Sequence, residues 1–100
     1  MTSQNVILLA QAEVRPEYRD ELVAVANATL ELTLLERGCK AFYQTCVEDE
    51  PNRLVFFEVF RSEQEHEIHL SQDYAKRFFA SLDGKLVGPA TFTRLTHLSS

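Results

Sequence analysis

Val6, Leu8, Ala10, Ala12 and Val14 alternate as apolar positions while Gln11 and Glu13 break the intervening series, so residues 6–14 read as a strand, β1. Arg15-Pro16 then marks a helix start, with Glu17, Asp20 and Glu21 placed where the helix dipole favours negative charge. Leu22, Val25, Ala26, Thr29, Leu30 and Thr33 follow at spacings of three and four. They predict a helix, α1, that stops near Glu36-Arg37-Gly38 with Gly38 as its terminator. Residues 39–47 and 53–60 are rich in aromatic and β-branched side chains and are separated by the turn cluster Asp49-Glu50-Pro51-Asn52. They read as a hairpin of β2 and β3. Ser62-x-x-Glu65 fits a capping box for a short helix, α2, running to His69. A break near Ser71-Gln72-Asp73 separates it from α3, which carries Tyr74, Phe78, Phe79 and Leu82 and stops at Asp83-Gly84. Beyond Gly88-Pro89, residues 90–98 alternate, with Phe92 on one face and Thr91, Thr93 and Leu95 on the other, as a last strand, β4.

The order β α β β α α β is that of the α+β, ferredoxin-like split βαβ fold: a four-stranded antiparallel sheet with helices on one face. The sequence shows no linker, repeat or low-complexity run, so one domain over residues 1–100 is expected, with an ordered core over about residues 5–97. A chain of this size buries roughly 65% of the surface it exposes unfolded, which leaves nothing to cover the second face of the sheet. A homodimer through that open face is the expected solution.

Charge and composition narrow the partners. Ten Lys and Arg against fifteen Asp and Glu give a formal charge of −5, and the basic residues are scattered, which argues against nucleic acid or an anionic membrane. The longest apolar runs are far too short to span a bilayer, and residues 1–5 lack the features of a signal peptide, so a cytoplasmic location is expected. Cys39 and Cys46, seven positions apart in one regular strand, would lie roughly 23 Å apart on opposite faces and could not pair. Neither CxxC nor GxGxxG nor GxxxxGK spacing occurs, so no zinc knuckle, dinucleotide cradle or P-loop is expected.

Glu58 shares its face of β3 with Leu54, Phe56 and Phe60. A carboxyl held among aromatics has its pKa raised by desolvation and can exchange protons near neutrality, unless a cation neutralises it as a structural pair. His69 falls where α2 meets the sheet, either as a base at neutral pH or as a hydrogen-bonded structural residue. His66-x-x-His69 brings no third ligand at a recognisable spacing, so no metal is expected. Tyr74, five residues beyond His69, can orient a polar ligand or serve the core. Phe56, Phe57, Phe60, Phe78 and Phe79 are chiefly packing residues, and those turned toward the gap between sheet and helices also suit a flat apolar slot for an aromatic ring.

Three stretches carry a resemblance: Glu36-Arg37-Gly38-Cys39, the run from Asp49 through Arg53-Leu54-Val55-Phe56-Phe57-Glu58-Val59-Phe60 to Ser62, and His69. Together the chain resembles the antibiotic biosynthesis monooxygenase (ABM) domain, with its E-P-G-C start to β2, its D-x-P-x-(R)-F-x-F-x-E-x-W strand and its histidine at the helix join. Arg37 stands where the family has Pro, Phe42 where it often has Tyr, Phe60 where it often has Trp, and Tyr74 where it often has a second His. The resemblance implies a dimeric α+β barrel with a small cavity in each subunit. It also implies oxygenation of quinols, naphthols or anthrones by molecular oxygen without metal or flavin. His69 and Glu58 are then the expected catalytic pair, His69 as proton acceptor and Glu58 setting its tautomer or neutralising the imidazolium. Tyr74, Phe60, Phe56 and Phe78 are the expected substrate contacts.

The first expectation is therefore a cofactor-independent monooxygenase for a small aromatic quinol. The same family includes isomerases of a phosphorylated autoinducer-2 type, and Lys76, Arg77, Lys85 and Arg94 are the cations such a substrate would need. A non-catalytic small-molecule-binding or stress-response domain is the third alternative.

Overall fold

A computed structural model describes residues 4–99. Its elements run β1 (Val6–Glu13), a 3-10 turn (Pro16–Tyr18), α1 (Arg19–Thr33), β2 (Cys39–Val47), β3 (Glu50–Phe60), α2 (Glu63–Ser71), α3 (Asp73–Ser81) and β4 (Thr91–Leu95). The strands form one sheet in the order β2-β3-β1-β4, every neighbour antiparallel. This is the ferredoxin-like α+β topology that the alternation and capping signals predict. No helix among the described residues is long and apolar enough to cross a membrane.

Register decides what each face holds. Across the sheet Phe42, Glu58, Leu8 and Arg94 form one row, and Gln44, Phe56, Ala10 and Phe92 form the next. These rows face the helices, since Phe56 packs with Leu22 and Ala26 of α1 and with Phe78 of α3. On the opposite face Ile7, Leu9, Tyr43, Val55, Phe57 and Val59 have no helix above them among the described residues, and Tyr43 is 61% exposed. α1 buries Leu22, Ala26, Thr29 and Thr33 at the predicted spacing. Its two buried threonines are satisfied internally, Thr29 Oγ1 donating to Val25 O and Thr33 Oγ1 to Thr29 O, each at 2.8 Å.

Three boundaries differ from the sequence expectation for identifiable reasons. α1 stops at Thr33, before Glu36-Arg37-Gly38, so Gly38 does not terminate it; among the described residues Gly84 alone adopts a positive φ, of 74°. Gly38 is needed because α2 lies against it: a Cβ there would sit 2.5 Å from Glu65 Cβ. β3 begins at Glu50, so Pro51 and Asn52 continue the strand, and Asn52 O accepts from Val14 N at 2.8 Å. β4 covers only residues 91–95 of the expected 90–98.

The fourth difference concerns faces. A β-bulge between Cys39 and Ala41 takes Lys40 out of the pairing, so Cys39 faces Phe60 while Phe42, Gln44 and Cys46 face Glu58, Phe56 and Leu54. Cys39 and Cys46 therefore share the helix-side face, where an unbulged strand would put them on opposite ones. Both remain free thiols.

α2 starts at the predicted cap, Ser62 Oγ accepting from Glu65 N at 3.1 Å. Replacing Gly38 by Ala sets a methyl against the root of Glu65, which no rotamer change can clear. Gly38→Ala is expected to cost roughly 1–3 kcal/mol, read in thermal melting as a fall in Tm on the order of 5–15 °C.

Candidate functional site

Between the helix-side face and the three helices lies a cavity of about 380 Å³. Its walls are mostly apolar: Phe42, Phe56, Phe78, Phe79 and Phe92 line it together with aliphatic side chains such as Leu8, Leu54 and Leu82, and the Phe56 and Phe78 rings stack with centroids 6.1 Å apart. The polar residues that line it are Gln11 from β1, Thr29 from α1, Gln44 from β2, Glu58 from β3, His66 and His69 from α2, and Arg94 from β4. A mainly apolar pocket with a few convergent polar groups is the usual form of a small-molecule site.

His69 is 5% exposed, and its Nδ1 lies 2.8 Å from Glu36 Oε2. The same Oε2 accepts a hydrogen bond from the Tyr74 hydroxyl. A carboxylate offers only acceptors, so it fixes Nδ1 as the N–H and leaves Nε2 as the basic nitrogen for the cavity that His69 lines. The expectation that Glu58 would set the His69 tautomer is thus corrected: Glu36, in the loop after α1, occupies that position. The signal for Glu36 was in the sequence, as the first residue of the matched Glu36-Arg37-Gly38-Cys39 segment, but only folding brings it against α2 and α3.

Two of the residues expected to contact substrate, Phe60 and Tyr74, are not part of the cavity lining. Phe60 is fully buried and does not line the cavity; its ring lies 4.9 Å from the His69 ring and 5.2 Å from that of His66, so it supports both imidazoles from behind. Tyr74 turns toward Glu36 rather than into the cavity, and burial together with that hydrogen bond raises its pKa, keeping it a phenol. Phe56 and Phe78 do line the cavity, as do Phe42 and Phe92, which the sequence did not single out as ligand contacts.

Glu58 lies in the row between Phe42 and Leu8, and burial pushes its carboxyl up to about 7. It makes no ion pair among the described residues, because Arg94, two strands away in the same row, is held bidentately by Glu63 at 2.7 and 2.8 Å. Burial, reinforced by Arg94 and His69, lowers the pKa of His66. Burial, followed by the nearby Glu36 and Glu58 carboxyls, pushes the Cys39 thiol up, which opposes a nucleophilic role. No group of three or more His, Cys, Asp or Glu among the described residues is placed to hold a metal, so His66 and His69 are not part of such a cluster. Of Lys76, Arg77, Lys85 and Arg94, only Arg94 reaches the cavity, already paired; Lys85 is bound to Glu21.

Over residues 5–81 the chain matches the family model described as antibiotic biosynthesis monooxygenase. An uncharacterized protein of Synechocystis sp. is 28% identical over 87 residues, which cover 85% of this chain and 58% of that protein, so the chain spans little more than half of that relative's length. The structure of Rv0793 from Mycobacterium tuberculosis superposes with a TM-score of 0.88 at 27% identity, over 96% of this chain and 97% of that one. A Nitrosomonas europaea protein provisionally named an antibiotic biosynthesis monooxygenase superposes with a TM-score of 0.89 at 14% identity, over 99% and 95% of the two chains, a likeness of fold alone. The family match runs from the start of β1 to the end of α3 and takes in the whole Glu36–His69–Tyr74 arrangement. The chain belongs to the antibiotic biosynthesis monooxygenase family.

Proposed function

We propose that this protein is a cofactor-independent monooxygenase that oxidises a small hydroxylated aromatic, a quinol or naphthol, with molecular oxygen. The observation that carries the reading is a histidine with Nδ1 anchored on Glu36 at the edge of an aromatic-walled cavity. His69 Nε2 takes the phenolic proton, and Glu36 stabilises the resulting imidazolium. The phenolate is electron-rich enough to give an electron to oxygen directly. One oxygen atom then enters the ring and the other leaves as water, the substrate supplying all the electrons. The aromatic walls exclude competing water and hold the ring flat. Glu58, poised between its two protonation states near neutral pH, returns a proton to the reduced oxygen.

The working unit in this reading is a homodimer. Ile7, Leu9, Val55, Phe57 and Val59 form an apolar sheet face that no element among the described residues covers, and a second copy stacked on it removes that surface from water. The native chain is expected to sediment at twice its own mass, and Phe57→Asp, which places a charge at the centre of that face, to sediment as a monomer.

Oxygen uptake with a panel of reduced quinols and anthrones is the direct test. His69→Ala is expected to lose about 10²–10⁴ in kcat, and Glu36→Gln, which removes the anion but keeps an acceptor, about tenfold or more. No saturable uptake above autoxidation by the native protein would end the oxygenase reading.

Glu58 makes a separate prediction about stability. Its folded pKa of about 7 lies above the ordinary carboxylate value of 4.5, so the folded state holds the proton more tightly than the unfolded one. That contribution is fully present below about pH 4.5 and is lost as pH rises through 7. Glu58→Gln abolishes the loss, so between pH 5 and 8 the native protein is expected to fall relative to the variant by roughly 3 kcal/mol at most. Denaturant melts of both proteins at the two pH values measure the difference.

A further inference from the structure

His66 stands one turn before His69 on α2 and takes no part in the proton transfers of His69 and Glu58. It lines the cavity, is only 9% exposed, and sets its ring 5.2 Å between centroids from Phe60, the phenyl that also carries His69 at 4.9 Å. Its side chain makes no hydrogen bond among the described residues, yet its ring nitrogens are not sealed from solvent; Gln44 Oε1 is the one unpartnered side-chain nitrogen or oxygen there that is. His66 therefore brings accessible, unused hydrogen-bonding capacity to the cavity that it lines. Burial first, then the Arg94 guanidinium and the His69 ring, lower its pKa against the pull of Glu63 and Glu67, so at neutral pH the ring is uncharged. A neutral imidazole offers one N–H donor and one bare acceptor nitrogen, and keeping such a group out of water without a partner is costly.

We propose that His66 is a specificity residue that hydrogen-bonds a substrate oxygen adjacent to the one His69 deprotonates, so that the cavity selects arenes with two neighbouring hydroxyls. The inference rests on the reading of the cavity as a site for a hydroxylated aromatic. Helix geometry sets the spacing. Residues three apart on a helix are neighbours on one face, with Cβ atoms about 5–6 Å apart, so His66 and His69 address the same edge of a ring lying in the cavity. Two vicinal hydroxyls share that edge. Two hydroxyls para to one another lie on opposite edges, and only one of them meets α2. Arg94, close enough to His66 to lower its pKa, is held by both carboxylate oxygens of Glu63, which leaves the neutral imidazole of His66 to meet the second hydroxyl.

Calorimetric titration under argon tests this without relying on turnover, by comparing 2,3-dihydroxynaphthalene with 2-naphthol and 1,4-dihydroxynaphthalene with 1-naphthol. The native protein is expected to bind the 2,3-diol about tenfold more tightly than 2-naphthol, and the 1,4-diol within about threefold of 1-naphthol. His66→Leu removes no side-chain hydrogen bond among the described residues. In that variant the advantage of the 2,3-diol is expected to fall to within about twofold, while affinity for 2-naphthol is retained and reports an intact pocket. Should the variant not fold, the imidazole resonances of His66 in the native protein provide an independent readout, shifting on addition of the 2,3-diol and much less on addition of 2-naphthol. A native ratio near one, a ratio preserved in His66→Leu, a 1,4-diol favoured as strongly as the 2,3-diol, or imidazole resonances indifferent to the 2,3-diol would each overturn the role of His66 while leaving the hydroxylated-aromatic reading in place. Failure of the native protein to bind any of the four compounds would remove that reading and the inference with it.

Discussion

The Glu36 carboxylate receives both the His69 imidazole and the Tyr74 hydroxyl on one oxygen, and through them it joins the loop after α1 to α2 and α3. His69 and Glu36 are both largely withdrawn from solvent, their side chains 6% and 13% exposed. In such surroundings an unpaired partner is expensive, so the three side chains hold one another in a single arrangement. The basic nitrogen of His69 is chosen by that bond. Phe60 behind the imidazole and the cap at Ser62 beneath α2 keep the ring where the bond requires it.

Two backbone features make the arrangement reachable. Gly38 lets the loop run against the first turn of α2, Arg61 N donating to Gly38 O at 2.8 Å, and this close approach carries Glu36 to His69. Immediately afterwards the bulge at Lys40 reverses the parity of β2. It turns Phe42 and Gln44 toward the cavity and Tyr43 toward the open face, so the lining of the site and the composition of the opposite face are set by the same irregularity.

Electrostatically the cavity separates its charges. Arg94, the cation nearest by register to Glu58, is engaged by Glu63 at the surface. Glu58 is left to desolvation alone, and its proton is held near neutral pH in a place with no cation to stabilise the anion. A fully paired carboxylate there would be an inert structural group; an unpaired one exchanges protons near neutral pH.

The sequence by itself determined the elements and their order, because alternation, helical spacing, the Ser62 cap and the turn residues are local signals that need no neighbour to be read. It also marked Glu58 and His69 as residues of interest, since a carboxyl within an aromatic face and a histidine at a helix end stand out against their own surroundings. Tertiary structure decided who meets whom. Glu36 lies 33 positions from His69 and 38 from Tyr74, and no periodicity connects them. Phe60 lies behind the imidazole and Tyr74 on the Glu36 carboxylate, outside the cavity lining, because facing the helices or the sheet is not the same as facing the space between them. The parity of β2 was likewise illegible, since a bulge carries no fixed residue signature and a shift of one residue exchanges the two faces of a strand.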